Sequence, residues 1–229
     1  MNGTDFSGVA MIRFKDHTDA GEKLAQELTK YKGRDVTVLA IPRGGVIVGR
    51  AVATRLGCEL DIVAARKIPV PWAPEVGYGA VTHDGTVVFN EEFASRLALP
   101  KTIIDAQTEK VMREVKRRLA VYRGSDRYET LDGKVAIIVD DGIATGISML
   151  ASVEFVRKLN PDKVVVASPV ASESGLLPIS GKVDETVVLY VSYATSFAVA
   201  MFYEEWREFS DEEITECLSA RTNKTVQLV

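Results

Sequence analysis

Two adjacent carboxylates, Asp140 and Asp141, end the apolar run KVAIIVD, and the loop Gly142-Ile143-Ala144-Thr145-Gly146 follows at once, with Ser148 just beyond it. A glycine-flanked turn that opens a helix presents backbone N–H groups, and the helix dipole favours an anion there. Glycine suits such a loop because the main chain itself must approach the anion. Thr145 and Ser148 add hydroxyl donors. The two acids would repel a second phosphate beside the first, but they are good acceptors for the vicinal hydroxyls of a sugar. Phosphate on amides and hydroxyls on carboxylates together describe a ribose 5-phosphate. Capping a helix needs one Asp, whereas DDGxxTG offers more than capping requires.

Other chemistries lack their residues. No Lys stands in P-loop register after Gly142, no G-x-G-x-x-G occurs, and Gly146-Ile147-Ser148-Met149-Leu150 departs from the nucleophile-elbow pattern at its last position. His17 and His83 are the only histidines, too isolated for a triad or a His-rich metal cluster, and read as surface or packed side chains.

The elements that must position these residues are legible in the hydrophobic pattern. Strands are expected at 35–41, 60–65, 134–140, 163–170 and 186–191, and helices at 45–56, 103–122 and 148–159. The strands are continuous Val/Ile/Ala runs without polar alternation, which predicts burial on both faces. Alternation of strand and helix predicts βαβ units, hence an α/β domain with a mainly parallel sheet and helices on both faces. In such sheets ligands bind beyond the carboxyl ends of the strands, where Asp140 and Asp141 fall. Residues 67–90, rich in Pro and Gly, read as a long loop or ribbon. The aromatic tail around Phe197, Phe202, Tyr203, Trp206 and Phe209 leads to an acidic stretch and reads as a C-terminal helix packed on the core. The stretch 101–123 is locally basic, which is the ordinary look of a solvated helix face, and no function is assigned to it.

Composition agrees with a single domain over 1–229. The chain has 229 residues, 46% of them hydrophobic and 26% charged, enough to build a core without disulfides or a structural metal. A formal charge of −4 gives no sign of a nucleic-acid partner, and the two cysteines, Cys58 and Cys217, suit a reducing, cytoplasmic setting. No apolar run reaches the ~20 residues of a membrane span, and MNGTDFSG resembles no secretory signal.

The segment Ile138-Val139-Asp140-Asp141 with its loop resembles the phosphoribosyl-pyrophosphate (PRPP) signature of type I phosphoribosyltransferases. Two further segments fit in the right order. Pro42-Arg43-Gly44-Gly45 resembles the family's pyrophosphate loop, and Arg66-Lys67, read as a strand end, resembles the start of its mobile catalytic loop. Within the family the chain looks closest to predicted phosphoribosyltransferases that share PRGG, RKI…PE…GAV and VDDGIATG. It departs from them at Ala73, where an Asn would precede Pro-Glu.

The resemblance implies a core at about 30–192, a hood from about 1–30 and 193–229, and a mobile loop at about 67–82. It implies that Asp140 and Asp141 bind the ribose hydroxyls and, directly or through water, Mg²⁺. Gly142, Ile143, Ala144, Thr145, Gly146 and Ser148 would bind the 5-phosphate. Arg43, Gly44, Gly45, Arg66 and Lys67 would bind pyrophosphate, with Arg43, Arg66 and Lys67 as the catalytic cations and a non-proline cis peptide at Arg43–Gly44. The implied reaction moves a 5-phosphoribosyl group from PRPP to a small nitrogen acceptor such as a nucleobase and releases pyrophosphate. A regulator that senses PRPP or nucleotides without turnover is the alternative. Lid residues Trp72, Glu75 and Tyr78 would reach the site over hinges at Gly77 and Gly79, and Phe197 or Tyr203 would stack on the acceptor. Family members often pair, so the resemblance allows a homodimer, but the sequence does not read out the oligomeric state.

Overall fold

In the computed structural model, which describes residues 13–219, the expected strands pair into one parallel sheet. Its strands are β1 (Val36–Ala40), β2 (Glu59–Ile62), β6 (Val135–Val139), β7 (Lys163–Ser172) and β8 (Glu185–Ser192), in the order β2-β1-β6-β7-β8. Every residue of β1 and β6 is buried, as strands covered on both faces require.

Residue parity assigns the faces. Val36, Val38 and Ala40 of β1 and Ile137 and Val139 of β6 point to one side, against Leu24 and Ala25 of α1 (His17–Glu27) and Val48 and Val52 of α2 (Gly44–Leu56). Leu39, Ala136 and Ile138 point to the other, against Met149, Val153 and Val156 of α5 (Ile147–Arg157). Helices therefore cover both faces, as expected.

The Pro/Gly-rich stretch is a paired ribbon. β3 (Ala65–Val70), β4 (Ala73–Thr82) and β5 (Val87–Phe89) form an antiparallel sheet, with register shifts beside Pro69, which has no N–H to donate. Two expectations change here. Arg66 and Lys67 open β3 instead of closing a strand, because β2 already ends at Ile62. Tyr78 does not face the site: it is fully buried and stacks on Phe89 at 6.0 Å. Gly77 and Gly79 lie inside β4, paired with Pro69 and Ile68. Trp72, between the strands, is 68% exposed.

After the ribbon come α3 (Glu91–Leu97) and the long α4 (Lys101–Arg123). Its buried residues Val111, Val115, Leu119 and Tyr122 recur at helical spacing and form one apolar stripe. The described residues continue with the short α6 (Glu173–Leu176) after β7, a 3₁₀ turn at Val199–Phe202, and α7 (Asp211–Ser219), which buries Ile214 and Leu218. The Tyr122 hydroxyl donates to Asp211, fastening α4 to α7.

Terminal segments meet over the sheet. The Phe14 amide donates to the Phe202 carbonyl at 2.8 Å, and the Glu204 amide returns to the Phe14 carbonyl at 2.8 Å. The rest of the expected hood, residues 1–12 and 220–229, and the Glu75 side chain lie outside the described residues. No described helix is long and apolar enough to cross a membrane.

Candidate active site

Parallel pairing brings the two loops together. β1 and β6 are neighbours in register, Ala40 opposite Val139, so the turns that leave them emerge side by side. The Ile41 amide donates to the Val139 carbonyl at 2.8 Å, extending the ladder to the edge of the site. Residues far apart in the chain thereby meet: Pro42-Arg43-Gly44-Gly45 on one strand end, Asp140-Asp141 on the next.

Gly44 and Gly45 let the start of α2 press against the acids. A Cβ on Gly45 would sit 3.0 Å from the Asp140 Cα, and one on Gly44 would overlap the Asp141 Oδ2. The non-proline cis peptide lies between Pro42 and Arg43, one bond earlier than expected. The Arg43–Gly44 peptide already belongs to the helix start, because the Arg43 carbonyl accepts from the Val46 amide at 3.0 Å. The Arg43 guanidinium reaches Glu208 at 2.9 Å.

The loop after the acids is fastened from below. The Ile143 amide donates to Val170 and the Ser172 amide to the Ile143 carbonyl, both at 2.9 Å. The Ser172 hydroxyl donates to the Ala144 carbonyl. Ile143 thus spends its amide on β7 and shapes the loop, while Thr145 is exposed and Ser148 half-buried. Gly146 is the N-cap of α5, at φ 69°, and no side chain caps that helix. The first-turn amides of α5 consequently face the loop mouth without a side-chain acceptor.

His17 is the functional candidate that the sequence did not single out. It is packed, as expected of a lone histidine, but its Nε2 lies 3.3 Å from the Asp141 Oδ2. Its ring stacks on Tyr203 at 4.6 Å and meets Trp206 and Phe209 at 4.8 Å each. The Tyr203 hydroxyl donates to the Asp141 carbonyl at 2.6 Å. Tyr203 therefore braces Asp141 instead of waiting for a base, and Phe197 packs on Phe202 at 5.3 Å. The sequence carries no signal for the His17 contact, because the partners stand 124 positions apart. Replacing His17 by Ala should lower stability by about 2 kcal/mol and ligand affinity several-fold. Thermal melts and ligand titration check this; unaltered affinity would mean that Asp141 needs no brace.

Burial and the Asp141 carboxylate push the Asp140 carboxyl well above the ordinary range. The Asp140 Oδ1 accepts the Asp141 amide at 2.9 Å. Burial, with both carboxylates behind it, also raises the Tyr203 hydroxyl, so it stays a donor.

Asp140 and Asp141 line a cavity of about 890 Å³ that also takes in Arg43, Gly44, Arg66, Lys67 and Ser148, whereas Gly45, His17, Tyr203 and loop residues 142–146 are not in its wall. Its far wall is one face of α4, with Lys110, Arg113, Arg117 and Arg118. The basic stretch is thus turned toward the cavity as well as toward solvent. Glu114 gathers Arg66, Arg117 and Arg118 within 3.3 Å, and its carboxyl is drawn down to about 2, chiefly by Arg117 and then by Arg118.

A sequence profile described as "Phosphoribosyl transferase domain" matches residues 83–198. The "Putative phosphoribosyl transferase Rv0571c" of Mycobacterium tuberculosis strain H37Rv is 40% identical over 205 residues, which covers 89% of this chain. A counterpart from strain CDC 1551, "Putative phosphoribosyl transferase MT0597", matches equally. The chain spans about half the length of these curated relatives, 46% in each case. The crystal structure of TT1426 from Thermus thermophilus is 35% identical, with a TM-score of 0.73, covering 90% of this chain and 98% of that one.

Proposed function

Since the chain belongs to the phosphoribosyl transferase domain family, we propose that it moves a 5-phosphoribosyl group from PRPP to a nitrogen acceptor, with release of pyrophosphate. The observation that carries this reading is the meeting of three features at one end of the sheet. They are the acid pair Asp140-Asp141, the loop ending at the uncapped start of α5, and the Arg43-Gly44-Gly45 turn. The 5-phosphate lies on the first-turn amides of α5 with the Thr145 and Ser148 hydroxyls. Asp140 and Asp141 take the 2- and 3-hydroxyls. Held this way, the anomeric carbon faces the cavity and the pyrophosphate points to the start of α2.

The acceptor nitrogen forms its bond to the anomeric carbon as the bond to pyrophosphate breaks, and the electron pair leaves with pyrophosphate. Charge builds on the sugar ring and on the leaving group, as in glycoside transfer. Arg43, Arg66 and Lys67 would stabilise the leaving group, with the amides at the start of α2. Arg43 is available because its bond to Glu208 is solvent-exposed and weak. The acceptor's proton passes to solvent.

Magnesium fits the acid pair as a substrate-borne ion. Among the described residues no group of three or more His, Cys, Asp or Glu side chains forms a metal cage, and Mg²⁺ commonly takes one or two carboxylates with substrate phosphates and water. Bound there, it would neutralise charge on the departing pyrophosphate.

Measured pyrophosphate release across purines, pyrimidines and other nitrogen heterocycles tests the proposal. Release with one acceptor class is expected; PRPP binding without release for any acceptor would point to a sensor. Replacing Arg43 by Ala should slow turnover ~10²-fold while KM for PRPP changes little, because the lost charge matters most as pyrophosphate departs. A rate equal to that of the wild type would remove Arg43 from the reaction.

A further inference from the structure

Helix α4 offers the cavity more positive charge than the proposed reaction employs. Lys110, Arg113, Arg117 and Arg118 follow one another at helical spacing along the flank of the buried stripe, and all four line the cavity. Elsewhere on the helix a cation meets its own carboxylate, as Lys101 does Asp105. On the cavity face four cations, Lys110, Arg113, Arg117 and Arg118, stand with one carboxylate, Glu114. Glu114 is shared by Arg66, Arg117 and Arg118, with Asp211 a second, longer partner of Arg117 at 3.5 Å, and Lys110 has no ion-pair partner among the described residues. Arg113 meets only Glu109, in an exposed pair at 3.2 Å that water screens. The Arg66 guanidinium is pushed below its ordinary range, first by desolvation and then by Arg118, with Arg43 and Arg117 adding to the repulsion. The arginines of α4 and those of the strand ends therefore share one electrostatic field, and an anion placed in it relieves their repulsion.

In the proposed reaction Arg43, Arg66 and Lys67 already serve the pyrophosphate. The cavity volume of about 890 Å³ lies near the upper end for small-molecule sites, which leaves space beside the sugar for a second ligand. That space is walled by α4. A neutral heterocycle would gain nothing from Lys110 and Arg113, whereas an acidic group would find charge-assisted donors there.

We propose that the acceptor is itself an anion, held through a phosphate or carboxylate group by Lys110 and Arg113, with Arg117 and Arg118 behind them. This rests on the phosphoribosyl-transfer reading and names the substrate class of the same site. It adds no covalent step.

The test uses the full chain saturated with PRPP and Mg²⁺, at constant ionic strength. Calorimetry follows the binding of three probes: imidazole-4-carboxylate, inorganic phosphate and the neutral imidazole-4-carboxamide. At least one acidic probe should bind ~10-fold or more tightly than the amide, and the preferred one identifies the acidic group. In the double variant Lys110→Ala/Arg113→Ala that preference should vanish while PRPP affinity stays within about 3-fold of wild type. Both positions are exposed, so the fold should tolerate the changes. Equal binding of acid and amide by wild type would overturn the proposal. So would a parallel loss of PRPP affinity in the variant, which would assign α4 to the pyrophosphate clamp. A wild-type protein that takes up no PRPP would defeat the transfer reading itself, and this inference with it.

Discussion

Changing Asp141 to Asn should weaken binding of PRPP by ~100-fold and leave the melting temperature nearly unaltered. The carboxylate is proposed to accept from a sugar hydroxyl, and a hydrogen bond to a charged group contributes about 1.5–3 kcal/mol. Asparagine keeps the shape but replaces one acceptor by a donor, so a hydroxyl must either turn or lose its partner. The main-chain brace survives, because the Tyr203 hydroxyl bonds the Asp141 carbonyl and not its side chain, and an asparagine amide can still pair with the His17 Nε2 that meets the Asp141 Oδ2. Titration of ligand into the purified variant, with a thermal melt beside it, separates the effects. Normal affinity, or unfolding without a change in affinity, would make the carboxylate structural.

Changing Gly146 to Ala should be the most disruptive single-methyl substitution in the site, costing about 3 kcal/mol of stability and most of the phosphate affinity. Two effects combine. Gly146 sits at φ 69°, where an L side chain costs roughly 1–2 kcal/mol. Its Cβ would also overlap the Gly175 carbonyl oxygen, a backbone atom that cannot swing aside. The loop must then lift from β7, and the first-turn amides of α5 move with it. Gly33 is the control: its φ is 82°, yet a Cβ there meets nothing within 4 Å. Gly33→Ala should show the conformational cost alone, with ligand affinity intact. Equal losses in the two variants would mean that the loop has no special fit against Gly175.

Much of this protein is legible residue by residue. The runs that form β1, β6 and β7 are apolar on both faces, so only a covered parallel sheet suits them, and the strand–Asp-Asp–Gly loop–helix unit is contiguous. Its local chemistry needs no partner from elsewhere in the chain to suggest a ribose phosphate. The Arg43-Gly44-Gly45 turn is readable in the same way, although the cis bond stands one residue earlier. The ribbon at 65–82 is only half legible. Prolines and glycines announce turns, but pairing across them depends on which strand lies opposite, and Tyr78 therefore falls on the side away from the one expected.

By itself the sequence determined the two-sided sheet and the strand–Asp-Asp–glycine loop–helix unit, because both depend on side-chain type and short-range spacing. Only the tertiary structure decided what stands across from them. The pattern of α4 marks a basic stripe beside an apolar one, yet nothing in a helical period says whether that stripe meets water or a cavity. The pairing of His17 with Asp141 was invisible for the same reason, since contact between distant segments is set by strand register and helix packing and leaves no mark on local spacing.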